Sequence, residues 1–128
     1  MTIIRIVEGQ DEIYNEAGKQ LIGSHAPNQT GLSPRELLES ALGLCVSISL
    51  QKILDYDGTE YDKDSIRVEV SATKPEDKTN RFSDFKVIVT LPPTLEEAYK
   101  EKLKKVVERA CTIGNTLRNS AIVEMVEG

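Results

Sequence analysis

Two cysteines, Cys45 and Cys111, are the side chains in this 128-residue sequence best suited to covalent chemistry. Cys45 lies in the most apolar segment, Leu37 to Val46, and Cys111 ends an amphipathic pattern and opens the stretch Cys111-Thr112-Ile113-Gly114-Asn115. They are far apart in the chain, so only the fold can make them neighbours. If it does, one thiolate can attack an oxidant and the other can resolve the product. A buried free cysteine also serves as a small hydrophobe, which is the plain alternative for Cys45. Cys111 differs because one helix stops there and another can start, and free N–H groups at a helix start stabilise a thiolate. No Cys or His pair occurs at the two-to-four-residue spacing of most zinc sites, so no metal site is expected. His25, the single histidine, reads as a loop residue ahead of the Cys45 segment. The sequence has no GxGxxG, P-loop, GxSxG or CxxC, so no nucleotide cofactor, serine nucleophile or thioredoxin-type site is expected.

The elements that must position these thiols can be read from periodicity. Apolar residues make up 39% and charged residues 29%, which fits one globular domain over residues 1–128. The net charge of −5 excludes a nucleic-acid-binding face. Lys102, Lys104 and Lys105 alternate with Glu97, Glu101 and Glu108, which is a solvated, mixed-charge face. With no Trp and only two Phe, a deep aromatic cofactor pocket is not expected. No uninterrupted run reaches the ~18 apolar residues of a membrane span. Glu8 cuts short the apolar N-terminus, so a cytoplasmic protein without a signal peptide is expected. In that compartment a cysteine pair is more often redox-active or metal-binding than structural.

Short strands are predicted at Thr2–Val7, Glu12–Asn15 and Gln20–Ile22, with glycines in the intervening turns. Ser33-Pro34-Arg35-Glu36 forms a capping box with Pro at the first helical position. The helix it opens, Leu37 to Leu54, is apolar on most faces and so must be buried, against a sheet and against a second subunit. Two strands of period two follow, Ile66–Thr73 and Phe85–Leu91. A second capping box, Thr94-Leu95-Glu96-Glu97, starts a helix whose stripe is Leu103, Val106, Val107 and Ala110. A short helical turn at Gly114–Asn119 and a last strand at Ala121–Val126 complete an α+β order, βββ-α-ββ-αα-β.

Taken together, Ser33-Pro34-Arg35-Glu36-Leu37-Leu38, Ala41-Leu42-Gly43-Leu44-Cys45 and Cys111-Thr112-Ile113-Gly114-Asn115-Thr116-Leu117 carry a resemblance. The first two resemble the central-helix motif of the OsmC/Ohr family, the osmotically inducible protein C and organic hydroperoxide resistance proteins. The third is similar to that family's second-cysteine motif. With the matching element order, the resemblance covers essentially the whole chain. It implies an intertwined homodimer with long helices at its centre and the cysteine sites at the subunit interface. It implies reduction of an organic hydroperoxide, with Cys45 as attacking thiolate, Cys111 as resolving thiol, and a dithiol reductant of the lipoyl type. It also implies a catalytic role for Glu36, since hydroperoxide-reducing members use an Arg–Glu pair to activate the thiol.

The sequence departs from that pattern in two places. The family's Glu directly follows the Pro, where this chain has Arg35, with Glu36 one place later. A regular helix turns through about 900° between Glu36 and Cys45, which sets them on opposite faces. The turn that holds the family's Arg reads Glu8-Gly9-Gln10-Asp11, leaving Arg5, Arg35 and Arg118 as substitutes. The chain is therefore closer to the OsmC-like branch. A non-catalytic binding or redox-sensing protein is the alternative expectation, and a structural dimer with inert thiols is a third.

Overall fold

A computed structural model describes all 128 residues. Its elements are β1 (Ile3–Val7), β2 (Gln10–Asn15), β3 (Gly18–Gly23), α1 (Pro34–Tyr56), a 3-10 turn (Lys63–Ser65), β4 (Arg67–Thr73), β5 (Asp84–Thr90), α2 (Glu97–Ala110) and α3 (Thr112–Arg118). Strands β1–β2–β3 form one antiparallel sheet and β4–β5 another. The α+β class and the order βββ-α-ββ-αα match the sequence expectation, while the 3-10 turn was not expected.

The start of α1 is built as its sequence dictates. The Ser33 side chain accepts from the Glu36 amide, and the Glu36 carboxylate accepts from the Ser33 amide at 2.9 Å. Pro34 has no N–H to leave unpaired in that first turn. Along α1, Leu42, Val46, Leu50 and Leu54 recur every four residues and are buried. That stripe forms the core with Leu103, Val107 and Cys111, the corresponding four-residue stripe of α2 and the junction after it. Each such side chain contributes about 1.5–3 kcal/mol by leaving water. Gly43 lets α1 press on β4, since a Cβ there would stand 3.2 Å from Val70 Cγ2. Val68, Val70, Phe85, Val87 and Val89 turn inward from the β4–β5 pair, while Arg67, Glu69, Lys86 and Ile88 face out.

α1 is long and apolar enough to cross a membrane by length and composition, although no uninterrupted apolar run predicts one. In this fold it is the central helix, covered on one side by β4, α2 and α3. On its other side Leu44 is 63% exposed and Ile48 41%.

Sheet β1–β3 packs mostly on itself and leaves Ile3, Ile4 and Ile6 at least half exposed. It joins the α1 entry through a bridge between Gly23 and Leu32, with Ser24 N–H donating to Leu32 at 2.8 Å. Gly31 makes that crossing possible. Its φ is +92°, and a Cβ would fall 2.2 Å from the Ile22 carbonyl oxygen.

Three local expectations are corrected. Helix α2 starts two residues later than the Thr94 box implies. Glu96 is its N-cap and offers no side-chain hydrogen bond, and the residues before it are taken up by a turn in which the Leu95 N–H donates to the Pro92 carbonyl at 3.3 Å. Helix α3 starts directly after Cys111 rather than at Gly114. The strand expected at Ala121–Val126 is not formed: those residues are exposed and pair with no edge, since a lone strand gains nothing without a partner.

Candidate active site

Cys45 and Cys111 are brought together. Cys45 lies on the flank of α1, one position before the buried Val46, and is partly buried. Cys111 is at once the C-cap of α2 and the N-cap of α3. Its backbone N–H donates to Val107 at 2.9 Å, closing α2, and its carbonyl accepts from Asn115 at 2.9 Å, opening α3. Its Sγ accepts from the Gly114 amide at 3.3 Å. The hinge between two helices thus fixes the Cys111 thiol, which is 2% exposed, against the middle of α1. The two thiols are near enough for each to influence the other's acidity, and they are unbridged.

Their acidities are driven apart. The backbone amide of Ile113 holds the Cys45 thiol below its ordinary range, outweighing burial, with help from the Cys111 thiol, the Thr112 amide and the Ser49 hydroxyl. Burial pushes the Cys111 thiol up, against the pull of the Gly114 amide. The N–H groups at the start of α3, expected to serve Cys111, act on both thiols: those of Ile113 and Thr112 on Cys45, and those of Gly114 and Ile113 on Cys111. The physical basis is that a thiolate facing several N–H and O–H donors is favoured, whereas a thiol surrounded by apolar atoms is not.

Each thiol borders its own cavity. Cys45 lines one of about 610 Å³ with Leu44, Ile48, Ser49, Lys52 and Ile113. Cys111 lines another of about 620 Å³, beneath β5, whose charged groups are Lys104, Glu108 and Arg118. The helix α1 separates them: Ala41, Leu44, Cys45, Ile48 and Ser49 face the first, and Leu42, Val46 and Leu50 the second.

Glu36 is placed elsewhere. Its carboxylate is occupied by the capping box, is held below the usual carboxylate range by the Ser33 amide, and lines a third groove with Glu39, Ser40 and Gly43. Within one chain it does not join the thiol pair, as the helical rotation requires. Of the three arginines, Arg5 lies over the Tyr14 ring and Arg35 is 4.0 Å from Glu39. Arg118 alone comes to the site, on the Cys111 side, donating to the Glu108 carbonyl at 3.2 Å. Ser49 and Lys52 were missed by the sequence reading, although their spacing from Cys45, one and two helical turns onward, placed them on the same face. His25 pairs with Asp11 at 2.9 Å and is 85% exposed. No three His, Cys, Asp or Glu side chains converge in a metal-binding arrangement.

The comparisons with known proteins agree with this architecture. A family model described as OsmC-like protein matches residues 26–126. The OsmC-like protein of Mycoplasma pneumoniae superposes with a TM-score of 0.74 at 17% identity, covering 92% of this chain and 86% of that one. The organic hydroperoxide resistance protein of Bacillus subtilis gives 0.59 at 22% identity, over 92% and 90% of the two chains. The organic hydroperoxide resistance protein OsmC of Legionella pneumophila gives 0.59 at 14%, over 92% and 89%. At these identities the structural likenesses speak for the fold alone. No match is found among curated protein sequences. A helix-borne thiol, a second thiol at the α2–α3 hinge, the shared fold and a family match spanning most of the sequence lead to one statement: this chain belongs to the OsmC-like family.

Proposed function

We propose that the protein reduces organic hydroperoxides through its two thiols. The observation that carries this reading is the juxtaposition of Cys45 and Cys111 with opposite shifts in acidity. The Cys45 thiolate attacks the distal peroxide oxygen, the O–O bond breaks, and the alkoxide takes a proton and leaves as an alcohol. Cys45 is then a sulfenic acid. The Cys111 sulfur attacks it, its thiol proton leaves with the hydroxyl as water, and a disulfide remains. A dithiol returns two electrons and restores both thiols. The apolar lining beside Cys45 suits an alkyl peroxide. Hydroperoxide resistance in the names of two structural neighbours supports the same theme.

A homodimer and a cytoplasmic setting complete this reading. The exposed apolar residues Leu44 and Ile48 beside Cys45 support an interface there. Glu36 contributes to the chemistry in this reading only as a residue of the second subunit, because within its own chain it lines a different groove.

A stoichiometric alkyl hydroperoxide is expected to remove two hydrogens from the intact mass and to yield a Cys45–Cys111 cross-linked peptide, while Cys45→Ser abolishes turnover. Two thiols that stay free after the challenge, or a fully active Cys45→Ser, reject the reading. One observation favours a second reading, a ligand-binding or redox-sensing protein: Lys52 is the charged residue lining the Cys45 cavity, and no arginine does.

A further inference from the structure

The thiol pair is flanked by two cavities that have no lining residue in common, one at each sulfur. This matters for the reductive half of the cycle, and the inference rests on the pair being redox-active. A thiolate displaces sulfur from a disulfide along the S–S axis, approaching the attacked sulfur from the side away from the leaving one. The Leu44–Ile48–Lys52 cavity borders Cys45 and the cavity under β5 borders Cys111, so an attacker aimed at Cys45 has the first at hand; one aimed at Cys111, which is 2% exposed, has the second and must displace part of its lining.

We propose that the cavity under β5 is the entry site of the dithiol reductant, and that the reductant attacks Cys111 and not Cys45. The reductant thiolate bonds to Cys111 Sγ, the Cys45–Cys111 bond breaks, and its electron pair leaves with Cys45 as a thiolate. The second reductant thiol, as thiolate, then attacks the reductant sulfur of the mixed disulfide. It closes a cyclic disulfide and releases the Cys111 sulfur, which takes up the proton. The reductant loses two electrons and the protein gains two.

Three observations support this direction. The cavity is large, about 620 Å³, and its Val87, Val89 and Leu117 walls suit an apolar arm carrying the dithiol. Arg118 at the same cavity favours an incoming thiolate, with Lys104 beside it paired to Glu101 at 2.7 Å and Glu108 as the opposing carboxylate. The leaving group is also decided: donors from Thr112, Ile113 and Ser49 stabilise sulfur charge on Cys45, whereas burial opposes charge on Cys111. The more acidic thiol leaves faster. Oxidant and reductant thus approach from opposite flanks of α1, and Cys45 is back in its reactive form after the first exchange.

The test starts from protein oxidised with diamide, so it does not depend on hydroperoxide activity. Brief reaction with the monothiol 2-mercaptoethanol, an acid quench and alkylation of the remaining thiol locate the mixed disulfide by peptide mass. The expected adduct is on Cys111, with Cys45 alkylated. An adduct on Cys45, or no disulfide after diamide, overturns the proposal. In a second measurement, Leu117→Trp, which fills the cavity, is expected to slow reduction by dihydrolipoamide at least ten-fold relative to that variant's own rate of Cys45 alkylation. An unchanged ratio of the two rates overturns the route. An inert response to hydroperoxide with the adduct still on Cys111 rejects the peroxidase reading and leaves this one standing.

Discussion

At the scale of the residue, the site depends on what surrounds each sulfur. Cys45 has no arginine in its cavity, yet its thiol is lowered by backbone amides and hydroxyl or thiol donors, chiefly the Ile113 amide. Cys111, enclosed by Leu103, Val107 and the α1 stripe, is raised by burial. A lowered pKa keeps the thiolate present to lower pH, and a raised one delays it to higher pH. Alkylation of the reduced protein by iodoacetamide, mapped to each cysteine, is therefore expected to reach half its maximal rate at lower pH for Cys45 than for Cys111. Coincident profiles, or the reverse order, contradict the assignment of attacker and resolver.

At the scale of the element, two junctions place the chemistry. The Ser33–Glu36 capping box fixes where α1 begins, and Cys111 terminates α2 and starts α3 in a single residue. The two duties offered for Glu36 can be separated, because Gln also completes a capping box. Ser33→Ala is expected to cost about 0.5–2 kcal/mol in a urea titration. Glu36→Gln is expected to leave that midpoint nearly unchanged. A loss of peroxide turnover in Glu36→Gln, with stability intact, supports its action on the second subunit's thiol. Full turnover confines it to capping.

At the scale of the whole molecule, the single chain leaves much apolar surface in water. Leu44 and Ile48 stand beside Cys45, Ile3, Ile4 and Ile6 line β1, and Ile122, Val123, Met125 and Val126 project from the C-terminal segment. A large exposed apolar surface marks an interaction face more often than free surface. The mass measured by light scattering is expected to be that of two chains, and Ile48→Glu to shift it toward one chain while weakening alkylation selectivity at the adjoining Cys45. A monomeric wild type at micromolar concentration rejects the dimer.

The sequence alone determined what is local. Ser33, Pro34 and Glu36 specify a helix start through groups three residues apart, and the alternation from Ile66 to Thr73 specifies a strand through the pleat of one segment. It also named both cysteines, since their motifs are contiguous. Ser49 and Lys52 were within reach of the same helical arithmetic but carried no motif of their own. The tertiary structure alone decided that the two sulfurs meet, that Arg118 rather than Arg5 or Arg35 comes to them, and that each faces a separate cavity. It also decided that Ala121–Val126 stays unpaired in the single chain, where the sequence pattern read a strand. The division is physical: periodicity and capping act through neighbours along the chain, while thiol acidity, access and strand pairing depend on segments that meet only when the core closes.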